Sequence, residues 1–226
     1  VEGWTFRQAV AAIRQHEAVT VSSDQMTDNE IARVLGLETE SPEGWLLPDT
    51  YLFPRDTTDL ALMEMAARAM KETLALTWEE REQGLPLESP YEVLILASIV
   101  EKETGLAAER SRIAGVFVRR LQRGMRLQTD PTVIYGLGDS FDGNLRRRDL
   151  TRDTPYNSYT RHGLPPTPIA LPGREALTAS VRPADEEALY FVATGAGDGS
   201  HYFSATLEEH NRAVARYLAR LREQKD

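Results

Sequence analysis

The 226-residue sequence contains no cysteine, only four histidines and only three lysines. The lack of cysteine excludes disulfides and thiolate metal sites. No histidine pair has a spacing such as HExxH, and no G-x-S-x-G is present, so a zinc site and a Ser-His-Asp hydrolase have no sequence support. A pyridoxal-phosphate enzyme needs a lysine that forms a Schiff base with the cofactor. Only Lys102 stands in a plausible place for that role, and no phosphate-binding signature accompanies it. We therefore expect no metal and no organic cofactor.

The sequence also has no apolar run of membrane-spanning length and no signal peptide. It begins at Val1 without a methionine, which we interpret as the start of an excised fragment, so the lack of a spanning run does not argue against an anchor outside it. The fragment itself is expected to be soluble, since its apolar fraction of 41% is ordinary for a globular protein.

Acidic side chains outnumber basic ones overall, but basic side chains are concentrated in the middle of the chain. The net charge is −9, whereas residues 101–174 carry 13 basic and 8 acidic side chains. The acidic total argues against nucleic-acid binding, and the basic middle suggests an anionic ligand near it. A simpler interpretation is that Arg119, Arg120 and Arg123 form one solvated helix face.

Helical patterns dominate, and we place a boundary near residue 87. Residues 1–87 read as a helical subdomain with capping boxes at Thr5/Gln8 and Thr27/Glu30 and a long helix over residues 58–82. Residues 88–226 begin with a helix capped by Ser89. They end with two strands, over residues 189–194 and 201–204, and a last helix after residue 206. The predicted class is α+β, mainly helical, with a small β-hairpin.

The helix that follows Ser89 is apolar almost all round until it reaches two carboxylates. Such a helix belongs in a core, where burial raises the pKa of a carboxyl group and suits it to act as a general acid. Glu101 continues the row of Val93 and Ala97, and Glu103 continues a different row. Helix geometry alone therefore does not choose between Glu101 and Glu103, and solvated helix-end glutamates are common.

The segment after this helix is rich in tyrosine, amide side chains, proline and arginine, which suit sugar rings and N-acetyl groups. Together with the carboxylates, it favours glycoside cleavage, for which most enzymes use two carboxylates. One carboxylate suffices where the substrate supplies its own nucleophile.

Long motifs carry a family resemblance over nearly the whole chain. They are EGWLLPDTY in the first part, then ASIVEKET, VFVRRLQRGMRLQTDPTVIYGLG, TPYNSYTRHGLPPTPIALPG, YFVATG and HYFS. The sequence resembles the YceG-like endolytic murein transglycosylases (MltG type). The resemblance implies cleavage of the MurNAc-β-1,4-GlcNAc bond inside peptidoglycan strands without water, leaving a 1,6-anhydroMurNAc end. It maps the catalytic glutamate, as the first Glu of the ExE motif, to Glu101.

The resemblance also implies a cellular setting and an architecture. The family is held in the cytoplasmic membrane by one N-terminal helix, with the catalytic part outside, and terminates nascent strands beside penicillin-binding synthases. A LysM-like module usually precedes the catalytic region, and we expect both module and anchor to lie outside this fragment. Residues 88–226 are expected to form a lysozyme-like transglycosylase domain.

Seven side chains are candidate sugar ligands, and Asn157 is the strongest because an amide can orient an acetamido group. Two alternative functions stay open. A lysozyme-like muramidase would need a second carboxylate, for which Glu103, Asp130 or Asp149 is available. A glycan-binding scaffold for synthases would need little turnover. The predicted ligands are Gln128, Thr129, Asp130, Tyr156, Asn157, Tyr159 and Arg126.

Overall fold

Helices are the main regular elements of the architecture. The computed structural model describes residues 1–223 and is an α+β structure with two small sheets. The helices of four or more residues in this range are α1 (Phe6–Gln15), α2 (Asp28–Val34), α3 (Asp59–Glu79), α4 (Pro90–Glu103), α5 (Arg110–Gln122), α6 (Asp130–Leu137), α7 (Arg147–Thr151), α8 (Arg174–Val181) and α9 (Leu207–Glu223).

Each of the two sheets has two strands. Strands β1 (Val19–Thr20) and β2 (Thr57–Thr58) pair in parallel, a contact of two residues per strand that the sequence did not predict. Strands β3 (Tyr190–Ala193) and β4 (His201–Ser204) form the predicted antiparallel hairpin. The glycine-rich residues between them form its turn.

The predicted helix starts in the first part are confirmed. The Thr5 hydroxyl accepts a hydrogen bond from the Gln8 N–H, and the Gln8 side chain accepts one from the Thr5 N–H. Thr27 and Glu30 make the same reciprocal pair at the start of α2. These contacts satisfy backbone donors that the first helical turn leaves free, so the local sequence alone sets both starts.

Helix α4 is the centre of the main core. Ser89 caps it as predicted, and Pro90 occupies its first position. The Glu92 carboxylate, however, accepts from the Glu88 N–H rather than completing a capping box with Ser89. Every residue from Val93 to Val100 is buried, as expected for a helix without a polar face. Within residues 1–223, no helix combines the length and the apolar character needed to cross a bilayer.

Two hydrophobic clusters share the long helix α3. The main cluster packs α4 against α3, α5 and α8, and it includes Leu47 and Met70 from the first part of the chain. The second cluster joins α1, α2 and the other end of α3, and Leu171 enters it from the second part. Residues on both sides of position 87 thus contribute to both clusters, and the boundary at that position stays a prediction.

Candidate active site

The end of α4 directs two carboxylates to different surroundings. Glu101 and Glu103 lie two residues apart, which turns their side chains about 200° from each other around the helix. The Glu101 Oε2 accepts a hydrogen bond from the Gly173 N–H at 2.9 Å. Glu103 instead accepts a hydrogen bond from the Thr129 hydroxyl. The fold therefore separates two groups that the helix pattern left equivalent.

Glu101 ties the end of α4 to the start of α8. Its backbone partner Gly173 is the N-cap of α8, where peptide N–H groups point towards an anion. Burial raises the pKa of Glu101, and the Gly173 N–H opposes that shift. Glu2 and Glu175 raise the pKa further, whereas Arg110 lowers it. The Glu101 carboxylate thus accepts a hydrogen bond from the backbone at the start of α8 and holds that backbone in place.

The side chains around Glu103 come from two later segments of the chain, one with Thr129 and Asp130 and the other with Tyr159. Burial raises the pKa of Glu103 to about 7, the Thr129 hydrogen bond lowers it, and the nearby Asp130 carboxylate raises it. The Tyr159 hydroxyl donates to Asp130 Oδ1 at 2.5 Å. Three of the predicted sugar ligands thus surround Glu103. A carboxyl group with a pKa near neutrality can both give and take a proton at physiological pH.

Buried hydroxyl groups fix Thr129. Thr129 is 2% exposed, and its N–H donates to Ser158 Oγ at 3.0 Å. Its carbonyl accepts from Ser158 Oγ at 3.2 Å and from Thr132 Oγ1 at 2.8 Å. Sequence reasoning missed Ser158 and Thr132, although Ser158 lies inside the TPYNSY motif that supplied other candidates. Their contacts orient the hydroxyl that faces Glu103.

Gln128, which precedes Thr129, has an unusual backbone conformation. Its φ is +53°, in the left-handed region that side chains other than glycine seldom adopt. Its N–H donates to the Ser158 carbonyl at 3.1 Å, and the Arg120 guanidinium donates to the Leu127 carbonyl at 2.8 Å. Arg120 is 7% exposed, so its assignment to a solvated helix face was wrong. Arg120 is instead an internal clamp for the segment before Thr129.

Asn157 is placed differently from the expectation. It is fully buried, and its Nδ2 donates to the carbonyls of Asp149, Leu150 and Arg152 at 3.1, 3.2 and 2.7 Å. Its Oδ1 accepts from the Tyr159 N–H at 2.9 Å. The amide is thus engaged with the backbone and buried from any sugar, and it orients the residue that carries the Tyr159 hydroxyl.

The last two predicted ligands lie at the edges of this site. The Tyr156 ring meets the Tyr135 ring edge-on at 5.0 Å, and its hydroxyl shares a hydrogen bond of 2.9 Å with Thr167. Arg126 is exposed, and its carbonyl accepts from Arg120 at 3.1 Å. Tyr156 therefore supports α6, and the Arg126 side chain faces solvent near the site.

A cleft of about 740 Å³ opens beside the carboxylate end of α4. It lies between the start of α1 and α6, and its wall includes Lys102 and Pro131. Lys102 is the chain neighbour of both Glu101 and Glu103, and Pro131 is that of Asp130, so the cleft adjoins the end of α4 without including either glutamate in its wall. Its volume is in the range of small-molecule sites. Among residues 1–223, no group of three or more His, Asp and Glu side chains is arranged to hold a metal ion.

Comparisons with known proteins identify the family of this chain. The sequence matches the YceG-like family over residues 1–216. It is 34% identical over 215 residues to the endolytic murein transglycosylase of Bacillus subtilis (strain 168), covering 94% of this chain and 58% of that protein. It is also 34% identical over 181 residues to the endolytic murein transglycosylase of Streptococcus pneumoniae R6, covering 78% of this chain and 32% of that protein.

A solved structure supports the fold. The crystal structure of a yceG-like protein from Listeria monocytogenes superposes with a TM-score of 0.76 at 30% identity, covering 94% of this chain and 74% of the other. The chain spans less than two thirds of the length of the two relatives above. The family match covers nearly all of its own residues, and the chain belongs to the YceG-like family.

Proposed function

We propose that this chain is the catalytic part of an endolytic murein transglycosylase. It would cleave the MurNAc-β-1,4-GlcNAc bond inside peptidoglycan strands and leave a 1,6-anhydroMurNAc end. Relatives at 34% identity bear the name of this activity. The observation that carries the proposal is the Glu103 carboxyl group, whose pKa is raised to about 7 beside the cleft-forming α6.

We propose Glu103, rather than Glu101, as the proton donor. Glu103 adjoins Thr129, Asp130 and, through Asp130, Tyr159, which are the side chains that the sequence analysis selected as sugar ligands. Glu101 accepts a backbone hydrogen bond at the start of α8 instead. The assignment of Glu101 by motif remains the competing prediction, and paired glutamine variants decide between the two.

The proposed reaction needs one carboxyl group and no water. Protonated Glu103 donates its proton to the glycosidic oxygen while the bond from C1 of MurNAc to that oxygen breaks. The C6 hydroxyl oxygen of the same ring attacks C1, and its proton passes to the Glu103 carboxylate. The C6–O–C1 bridge is the anhydro ring, and Glu103 ends in its starting protonation state.

The neighbours of Glu103 suit the charge that develops in this reaction. Positive charge builds at C1 and the ring oxygen, and the Asp130 carboxylate provides a nearby negative charge. Tyr159 orients that carboxylate through its hydroxyl. Thr129 orients Glu103, and the exposed Gln128 side chain, whose Oε1 accepts from Arg120 at 3.4 Å, keeps its NH2 group for the sugar. Asn157 and Tyr156 would act through the loops and helix that they support.

Asp130 also supports a second candidate function, a muramidase. A carboxylate close enough to Glu103 to raise its pKa is placed to activate water, as the second carboxylate of a hydrolase does. Incubation with uncrosslinked glycan strands and mass analysis of the products tests both candidates. Anhydro ends support the transglycosylase, ends heavier by one water support the muramidase, and uncut strands support a glycan-binding scaffold.

We extend the proposal to the cellular setting that the resemblance implies. Peptidoglycan strands are the proposed substrate, and penicillin-binding synthases are the proposed partners. An N-terminal anchor in the cytoplasmic membrane would hold the catalytic part on the extracytoplasmic side. A lysozyme-like arrangement of residues 88–226 is likewise proposed, since the helix-end carboxylate beside a cleft supports it.

A further inference from the structure

A third glutamate is buried in the wall of the cleft. Glu43 is 5% exposed, and burial raises its pKa to about 7. Its Oε1 accepts from the N–H groups of Phe6 and Gly44 at 2.8 and 3.3 Å. Its Oε2 accepts from the Tyr135 hydroxyl at 3.2 Å. The reaction proposed above makes no use of this group.

These hydrogen bonds join three separate parts of the chain. Phe6 is the first residue of α1, Gly44 lies in the irregular segment before α3, and Tyr135 lies in α6. The segment at Gly44 is tightly seated, since a Cβ there would approach Pro168 to 2.5 Å. Glu43 therefore sits on a fixed support when it accepts from α6.

Helix α6 transmits this contact to Glu103. Asp130 is its first residue and Thr129 its N-cap, and Tyr135 follows Asp130 by five positions in the same short helix. The next residue of α6 is also closely packed, because a Cβ at Gly136 would approach Tyr156 to 2.9 Å. A shift of α6 away from Glu43 would move Thr129 and Asp130 relative to the Glu103 carboxyl group.

We propose that Glu43 is a positioning residue that acts through Tyr135 and α6 on the surroundings of Glu103. The inference rests on the proposed function, because it assigns Glu103 the proton transfer. The link fixes the groups that orient and polarise the acid, so its loss lowers kcat more than it raises KM. Misplacement of catalytic groups by about 1 Å can cost on the order of a hundredfold in rate.

The test is the Tyr135→Phe variant, which keeps the ring and removes only the hydroxyl. The matched control is Tyr51→Phe, which removes a tyrosine hydrogen bond of 2.7 Å to the Leu47 carbonyl. We expect kcat for strand cleavage to fall about ten- to a hundredfold in Tyr135→Phe, with KM within about twofold. The control should keep wild-type kcat, while both variants lose similar thermal stability.

Glu43→Gln provides the second arm. The amide oxygen can still accept from the Phe6 N–H, but an NH2 group then faces Tyr135, so the Tyr135 O–H loses its acceptor and the hydroxyl oxygen can only accept in the reversed direction. We expect a loss of kcat no larger than in Tyr135→Phe, and the double variant should lose no more than Tyr135→Phe alone. Additive losses would overturn action through Tyr135.

Failure of this inference is distinguishable from failure of the proposed function. Tyr135→Phe with the kcat and KM of the Tyr51→Phe control overturns the positioning role, whatever Glu103→Gln does. A folded wild-type protein that does not cut strands rejects the proposed function and the inference together. Wild-type kcat in Glu103→Gln rejects the proton donor on which the inference rests.

Discussion

The two carboxylates at the end of α4 share a helix and a buried core but differ in what they touch. Glu101 accepts from a backbone N–H that begins α8, and Glu103 faces a hydroxyl and a second carboxylate from the α6 segment. Burial raises the pKa of both groups. A backbone N–H stabilises the charged form of Glu101, and a side-chain hydroxyl does so for Glu103. The neutral forms are favoured by Glu2 and Glu175 beside Glu101 and by Asp130 beside Glu103.

This difference teaches that burial alone does not mark a general acid. A carboxyl group that must give up and regain a proton needs neighbouring side chains that stabilise the charges formed during the reaction. For Glu103, the side chains at the start of α6 are such neighbours. A group that secures a helix start needs only a fixed carboxylate.

The largest expected effect separates the two glutamates by activity. Glu103→Gln should lower kcat for strand cleavage about 10²- to 10⁴-fold, because the amide cannot donate the proton to the leaving oxygen. Glu101→Gln should stay within about tenfold of wild type, because an amide oxygen still accepts from the Gly173 N–H. Product release from glycan strands, measured with each folded variant, checks both. The reverse pattern would restore the motif-based assignment to Glu101.

The second prediction compares the two glutamates by stability. The pKa of Glu103 is about 7 in the fold against an ordinary 4.5, so the folded chain keeps this proton after the unfolded chain has lost it. The contribution of Glu103 is therefore fully present below about pH 4.5 and is lost as pH rises to about 7. Glu103→Gln cannot ionise, so its free energy of unfolding relative to wild type should be higher at pH 8 than at pH 5, by about 1 to 3 kcal/mol.

Glu101→Gln is the control for that measurement. Its pKa is raised as well, but the Gly173 N–H favours the charged form, and we expect a smaller pH-dependent gain. Denaturant unfolding of the three proteins at both pH values provides the comparison. Glu43 contributes a pH dependence of the same sign in all three and cancels. Equal gains in both variants would contradict the contrast.

The sequence predicted the features of the fold that depend on local patterns. The caps at Thr5, Thr27 and Ser89, the buried helix that ends in carboxylates, and the hairpin were all readable from spacing. Helix periodicity is a local property, and it placed Glu101 and Glu103 on different rows. It could not say what each row faces, because the partners lie 26 and 72 residues away in sequence.

The expectations for Arg120 and Asn157 failed because the contacts of each side chain form only in the folded chain. Arg120 and Asn157 are polar and read as surface or ligand residues, but the fold buries both among backbone carbonyls. Glu43 sits in the recognised EGWLLPDTY motif, yet its link to Tyr135 spans 92 residues. Long-range hydrogen bonds of this kind decide the role of a polar side chain, and a single sequence does not display them.

The third prediction sharpens the contrast through pH. The rate should fall as pH rises through about 7, because Glu103 must start protonated. Asp130→Asn removes a charge that raises this pKa and should move the falling limb to lower pH, by about one unit or less. Thr129→Val removes a hydrogen bond that lowers it and should move the limb to higher pH. The limb of kcat/KM reports both shifts, and no shift in either variant would remove Glu103 as the titrating group.

The smallest expected effect concerns the exposed charge around the site. Arg126 is exposed two residues before Gln128, whereas Arg148 lies 3.7 Å from the Asp149 carboxylate, which already offsets its charge. Peptidoglycan carries carboxylates, so exposed arginines around the site would attract it. Such attraction is screened over about 8 Å at physiological salt. We expect Arg126→Glu to raise KM a few-fold at low salt and less at high salt, and Arg148→Glu to raise it less.

In both charge variants kcat should change little, because Glu103 and its neighbours remain in place. Arg68→Glu, on the exposed side of α3, reverses the same charge in the first part of the chain and serves as the control. Steady-state kinetics at two ionic strengths distinguish the outcomes. If all three reversals alter KM equally, the protein's total charge governs association. If only Arg126→Glu does so with a salt dependence, the glycan strand passes the Gln128 side of Glu103, on the face of α4 opposite to Glu101.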